Sequence, residues 1–214
     1  MDIERAINLA YETNRKERKH LGLSEIGENC SRYLWFAHNG HPASTIKGQI
    51  LRLFHLGCVI EDVVIDDLKK AGFKILSQQT RATIIHNGMK LSGSCDAIVQ
   101  TPDGVNMILE VKTANDNGFK NLQMLGYEAW KPKYAAQIHA YMLGLGVEKA
   151  LVAVYNKNDS RMYFEELSLN RKAIHAVLDH VQESIASNDV PPFTGCPMQN
   201  QSWCKFIDTC LKNT

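Results

Sequence analysis

Between residues 93 and 113 the chain reads GSCDAIVQTPDGVNMILEVKT, two runs rich in Ile, Val and Leu around Thr101-Pro102-Asp103-Gly104. Proline and glycine stand where a β-turn needs them, so the runs are expected to pair as a hairpin, 90–99 against 105–113. Asp96 interrupts the first run, and Glu110-Val111-Lys112 ends the second. Side chains alternate along a strand, so Glu110 and Lys112 share a face and Val111 points into the core. Asp96, on the partner strand, can sit beside Glu110. Two neighbouring carboxylates repel each other, and burying them unpaired is costly. A divalent cation relieves this, and hard oxygen donors suit Mg2+ or Mn2+. Such an ion acidifies water and stabilises charge on a phosphate oxygen, while a lysine can orient the water or neutralise the developing charge. The set therefore suits phosphodiester hydrolysis. The same residues also suit a surface hairpin with an exposed ion pair worth about 0–1 kcal/mol, and the hairpin alone does not choose.

The remainder of the chain sets the frame. Its 214 residues are enough for one domain with a sizeable core. A 44% apolar and 22% charged composition is ordinary for a soluble globular protein. A net charge of +1 neither announces nor excludes a nucleic-acid surface. No apolar run approaches the roughly eighteen residues of a membrane span. The first twenty residues are charged and amphipathic and lack a signal-peptide core, so a cytoplasmic protein is expected. Six cysteines in that compartment read as metal ligands or buried thiols rather than disulfides.

Periodicity and breakers predict helices over 2–19, 46–70, 133–145 and 170–187. Strands are expected at 73–79, 81–87, 90–99, 105–113, 149–156 and 161–168. Residues 114–132 read as polar and irregular, with a helical piece near Leu122–Trp130. The pattern describes a single α/β (α+β) domain over 1–214, with a mixed central β-sheet flanked by helices.

Asp96 followed by Glu110-x-Lys112, in a hairpin after a long helix, resembles the PD-(D/E)xK nuclease superfamily. Gln137-Ile138-His139-Ala140-Tyr141 resembles the Gln-xxx-Tyr motif of its RecB-like branch, and a spacing of four puts Gln137 and Tyr141 on one helical face. Gly57-Cys58-Val59-Ile60-Glu61 in the long helix matches the branch's Gly-xxx-Glu form. A helical glycine costs about 1 kcal/mol relative to alanine, so Gly57 is expected to let another backbone approach. The resemblance implies a restriction-endonuclease-like core. Asp96, Glu110 and the Val111 carbonyl would hold Mg2+ or Mn2+, and Glu61 would complete the shell. Lys112 would position the attacking water, Gln137 would orient Lys112 or the substrate, and Tyr141 would contact DNA phosphate.

Cys30 with Cys196, Cys204 and Cys210 resembles the iron–sulfur members of that branch, which include CRISPR-adaptation-type nucleases. Four thiolates can hold [4Fe–4S] or zinc. The resemblance implies a staple formed by 24–45 and 190–214, with the Cys-rich tail packed near the N-terminal region. Seven residues separate Cys196 from Cys204, where the family pattern has two; the five between Cys204 and Cys210 match. Cys58 and Cys95, in apolar contexts, read as buried thiols.

The function implied is a metal-dependent DNA exonuclease acting on linear single- or double-stranded ends, in recombination, repair or phage DNA processing. It would work in a bacterial or phage-infected cell, as a homo-oligomer or with a recombination or replication partner. The alternative is a non-catalytic DNA-binding or assembly module with a structural four-cysteine metal site. Candidate phosphate contacts are Arg15, Lys16, Arg18, Lys19, Lys47, Arg52, Lys120, Lys131 and Lys133. Phe119, Tyr127 and Trp130 would stack on unpaired bases or pack their loop on the core.

Overall fold

The computed structural model describes residues 1–13, 20–196 and 204–212. Its strands are β1 (Lys74–His86), β2 (Met89–Gln100), β3 (Asn106–Ala114), β4 (Lys149–Asn156) and β5 (Met162–Ser168). Its helices are α1 (Ile3–Thr13), α2 (Ser31–His38), α3 (Gly48–Lys70), α4 (Asp116–Leu125), α5 (Tyr127–Trp130), α6 (Pro132–Leu145), α7 (Arg171–Ile185) and α8 (Ile207–Lys212). The chain divides into two units, one of residues 22–27 and 57–178, the other of 1–21, 28–56 and 179–214.

In the first unit the Thr101–Gly104 turn closes as its sequence requires. Gly104 has φ +92° and donates its N–H to the Thr101 carbonyl at 2.9 Å. The five strands form one sheet in the order β1-β2-β3-β4-β5. All neighbours are antiparallel except β3 and β4, which run parallel and are joined through α4, α5 and α6.

Helix α3 covers one part of the sheet through Ile60, Val64, Ile65 and Leu68. These pack on Ala97, Val99, Met107, Leu109, Val111, Leu151 and Ala153. Each fully buried aliphatic side chain there contributes about 1.5–3 kcal/mol. Helix α6 is buried at every position from Ala135 to Met142, which marks a helix enclosed on all sides. Pro132 opens it at the first turn, and Gly146 closes it with φ +66°. It approaches β1 closely enough that a Cβ on Gly144 would lie 3.2 Å from the Thr83 carbonyl oxygen.

Two local expectations change. Residues 73–79 and 81–87 belong to a single strand, β1, because pairing with β2 continues across the polar Gln78-Gln79-Thr80 interruption. A register shift between Ile75 and Ser77 lets that long strand stay paired. Residues 114–132 are largely helical. The Asn115 side chain caps α4 by accepting the Gly118 N–H at 2.8 Å. The helix expected near Leu122–Trp130 is split by Gly126, whose φ of +75° ends α4 before α5 begins.

In the second unit the α2 segment meets residues from late in the chain. Arg32 of α2 donates to the Pro191 carbonyl at 3.0 Å and the Cys210 carbonyl at 3.3 Å. Trp35 Nε1 donates to the Ser187 carbonyl at 2.9 Å, and Thr209 Oγ1 to the Pro42 carbonyl at 3.2 Å. The Cys-rich tail therefore packs on the α2 segment, as expected. Helix α1 accounts for 3–13 of the predicted 2–19; residues 14–19 lie outside the described residues, and Ile3 and Ile7 are exposed. No helix among the described residues is long and apolar enough to cross a membrane.

Candidate active site

The β2–β3 ladder stops at Ala97 opposite Leu109, one residue short of Asp96 and Glu110. Beyond that pair a side chain replaces the backbone bond: the Val111 N–H donates to Asp96 Oδ2 at 2.7 Å. Pairing on the other side continues, with Glu110 beside Val152 and Lys112 beside Val154 of β4. The end of β3 is thus held from one side by a strand and from the other by a carboxylate. Val111 packs in the α3 core, as alternation predicts.

Glu110 is 0% exposed. Lys112 Nζ donates to its Oε1, and Gln137 Nε2 donates to the same oxygen at 2.8 Å. Glu110 Oε2 is buried and has no hydrogen-bond partner among the described residues. Such an atom carries a desolvation cost of roughly 1–3 kcal/mol or more. The exposed ion pair that the hairpin alone allowed is therefore excluded by burial.

Burial pushes the Glu110 carboxyl up to about 7; the Lys112 charge opposes this, and Asp96 adds to it. Asp96 is also raised, chiefly by burial, against the pull of Lys112 and the Val111 N–H. Burial works against the Lys112 charge, but Glu110 and then Asp96 more than offset it and hold the ammonium above the ordinary lysine value. Three carboxyl groups, counting Glu61 of α3, interact with one ammonium in this pocket.

Glu61 joins this group from α3. Its carboxyl is raised by burial and then by the charge of Asp96, and it also feels Lys112. Gln79 Nε2 donates to Glu61 Oε1 at 2.9 Å. Gly57, one turn earlier, does not receive another backbone: apart from its own helix backbone, no described atom lies within 4 Å of where its Cβ would be. Close approaches occur instead at Gly93, where a Cβ would lie 3.1 Å from both Leu23 and Tyr141, at Gly27, where it would lie 2.7 Å from the Lys133 backbone, and at Gly48, where it would meet the Asn8 carbonyl oxygen.

Gln137 and Tyr141 share a face of α6, with Gln137 Nε2 3.2 Å from the Tyr141 hydroxyl. Tyr141 is 2% exposed, and its hydroxyl stands beside Gln137, which holds Glu110. Tyr127 and Phe119 are buried too, which removes them as base-stacking platforms, while Trp130 is half-buried between the rings of Tyr127 and Tyr134.

Two further aromatic contacts belong to the site in a way the sequence reading missed. Lys112 Nζ lies 5.2 Å from the centre of the Tyr134 ring, and the buried Tyr127 hydroxyl, unpartnered among the described residues, feels Lys112, Glu110 and Asp96. Tyr134 stands three residues before Gln137, a helical spacing that could have flagged it. Tyr127 had no comparable signal.

Among the basic candidates, Arg52 lies 3.4 Å from Glu4 and Lys120 lies 2.8 Å from Asp116. Lys131 sits over the Trp130 ring, Lys47 is exposed and Lys133 is half-buried. Arg15, Lys16, Arg18 and Lys19 lie outside the described residues.

The four cysteines predicted as a set come together in the second unit. Cys30, Cys196, Cys204 and Cys210 line one cavity with Tyr33, Phe36 and Phe206. None is in a disulfide. Burial raises the Cys204 thiol, and the neighbouring cysteines Cys30, Cys196 and Cys210 raise it further; burial and the neighbours Cys196 and Cys210 act likewise on Cys30. Pro197 lies outside the described residues. Cys95 is buried as expected, but Cys58 is exposed on α3.

Among the described residues no three His, Cys, Asp or Glu side chains already stand in coordinating geometry. The fit of both sites to a metal rests on donor chemistry: an orphaned buried carboxylate oxygen in one, four thiols lining one cavity in the other.

No protein-family model matches the chain, and no curated protein matches its sequence. Solved structures do share its architecture. The crystal structure of SSO0001 aligns with a TM-score of 0.59 at 16% identity, over 99% of this chain and 97% of that one. An alkaline exonuclease, LHK-Exo from Laribacter hongkongensis, aligns with a TM-score of 0.56 at 12% identity, over 83% of this chain and 91% of its own. LHK-Exo in complex with dAMP gives 0.50 at 14% identity, over 85% and 91%. At these identities the likeness is one of fold. The restriction-endonuclease-like α/β arrangement expected from the sequence is the one present.

Proposed function

We propose that this chain is a divalent-metal-dependent DNA nuclease of the PD-(D/E)xK superfamily, acting as an exonuclease on linear ends. One observation carries the reading. Glu110 is completely buried beside Asp96 and within electrostatic reach of Glu61, and one of its oxygens is left without a partner among the described residues. A folded chain tolerates that cluster more readily with a cation than without one.

Asp96, Glu110 and the Val111 carbonyl would hold Mg2+ or Mn2+, with Glu61 completing the set directly or through water. The ion would supply charge for the scissile phosphate and acidify water. The protein's own groups do the rest. Gln137 and Lys112 hold Glu110 by Oε1 and so leave Oε2 free. The Val111 N–H fixes Asp96. Lys112, flanked by Tyr134 and held protonated by Glu110 and Asp96, would orient the attacking water or meet the charge that develops on phosphate. The likeness to an exonuclease that has been crystallised with dAMP agrees with a DNA substrate.

The test is digestion of end-labelled linear DNA, single- and double-stranded. Shortening from the ends with Mg2+ or Mn2+, stopped by chelator, is expected; intact DNA under all these conditions refutes the reading.

We further propose that Cys30, Cys196, Cys204 and Cys210 hold a [4Fe–4S] cluster that staples the C-terminal tail to the α2 segment. Their shared cavity supports this. Protein purified without oxygen is expected to be brown, with visible absorbance that Cys30→Ser removes. Colourless protein containing neither iron nor zinc would refute a metal staple; zinc alone would replace the cluster with a four-cysteine zinc site.

A further inference from the structure

Among the described residues three non-glycine positions have a left-handed backbone: Gln79, Asn87 and Ser160. Asn87 precedes Gly88 in the β1–β2 turn, and Ser160 lies in the turn before β5, where such a conformation is ordinary. Gln79, with φ +50°, lies inside β1. Glutamine gains nothing there from the local side-chain bonds that reconcile asparagine or aspartate to this region.

Strand pairing does not demand the distortion. Gln78 pairs with Ala97 and Thr80 with Cys95, so the register is the same on both sides, and one residue of β1 faces one residue of β2. That facing residue is Asp96. The Ser77 and Thr80 hydroxyls meet at 2.6 Å across the kink, and the Gln79 amide reaches Glu61 Oε1 at 2.9 Å. Backbone strain of this kind persists where surrounding contacts impose it, and it concentrates at functional sites.

We infer that Gln79 is a positioning residue: the kink in β1 aims its amide at Glu61 and holds that carboxylate's second oxygen towards the ion shared with Asp96 and Glu110. The inference rests on the metal site proposed above and adds a residue to it. The bond to Glu61 acts through the ligand, as outer-shell partners do when they fix a ligand's orientation.

Strain makes the proposal separable from a purely structural role. Glycine at position 79 would adopt the same backbone freely and lack the amide. In the metal-free full-length protein, Gln79→Gly is expected to melt at or above the wild-type temperature. Its Mn2+ affinity, measured by titration calorimetry, is expected to fall about ten-fold. Gln79→Asn, which tolerates the backbone but falls short of Glu61, is expected to behave the same way. Wild-type Mn2+ affinity in both variants would overturn the proposal. So would a lower melting temperature accompanying weaker binding in Gln79→Gly, because the contact would then be holding the fold.

Glu61→Gln separates this from the reading beneath it. Weakened binding in Glu61→Gln with unchanged binding in the Gln79 variants removes only the role of Gln79. Unchanged binding in Glu61→Gln, or no Mn2+ binding by the wild type, removes the role of Glu61 and that of Gln79 with it.

Discussion

Asp96→Asn is expected to lower DNA hydrolysis by at least about a thousand-fold, roughly 4 kcal/mol of transition-state stabilisation, with the fold and melting temperature close to wild type. Asparagine keeps an oxygen for the Val111 N–H, which donates to Asp96 Oδ2 at 2.7 Å, so the end of β3 remains tied. What is lost is a negative charge beside Glu110 and Glu61. In the metal-free protein that loss relieves repulsion, because Asp96 contributes to the raised carboxyls of both neighbours. Stability and activity should therefore part company. The check is the initial rate on an end-labelled duplex beside a thermal melt. Near-wild-type hydrolysis by a folded Asp96→Asn protein would remove this residue from the mechanism.

The second large effect is on stability. Burial pushes the Glu110 carboxyl from an ordinary value of 4.5 to about 7. Over that window the folded chain keeps a proton that the unfolded chain has released. The stabilisation is complete below pH 4.5 and is lost as pH rises through about 7. For a fully buried group the loss reaches about 3 kcal/mol, on the order of 10 °C for a chain of this length. Asp96 and Glu61, also raised chiefly by burial, act in the same direction.

Thermal melts in chelator at pH 5 and pH 8 are the measurement, with Glu110→Gln as the reference that lacks the titration. The wild type should lose more stability than Glu110→Gln between those two pH values. Saturating Mn2+, which takes the ionised carboxylate, should restore the wild type at pH 8. Parallel pH profiles for the two proteins would contradict the burial and charge coupling that define the site.

The parts of the molecule legible in the sequence are those whose cause is local. The β2–β3 turn needs Pro102 and Gly104 in place, and strand alternation alone separates Val111 from Glu110 and Lys112. A spacing of four brings Gln137 and Tyr141 to one face. Tertiary causes are not legible in this way. Pairing with β2 carries β1 through Gln78-Gln79-Thr80, which by composition reads as a break. Six consecutive residues from Arg32 to Ala37 are buried in α2, and this enclosure hides the periodicity that marks a helix on a surface. Tyr141 illustrates the limit of a motif: the spacing gives its place on the helix, but only the fold shows that it is buried with its hydroxyl beside Gln137. Glycines carry a similar ambiguity. The sequence points to a close approach at Gly57, but close approaches lie at Gly27, Gly48, Gly93 and Gly144.

The claim on which the rest depends is that a lysine and three carboxylates, contributed by α3, β2 and β3, make one hydrolytic metal site. The most direct measurement compares wild type with Lys112→Met on the same end-labelled DNA in saturating Mn2+, with Mn2+ binding measured on both proteins. The proposed site predicts metal-dependent cleavage by the wild type, and a variant that still binds Mn2+ yet leaves the DNA intact. A wild type that cleaves nothing, or a Lys112→Met protein that cleaves at the wild-type rate, would contradict it.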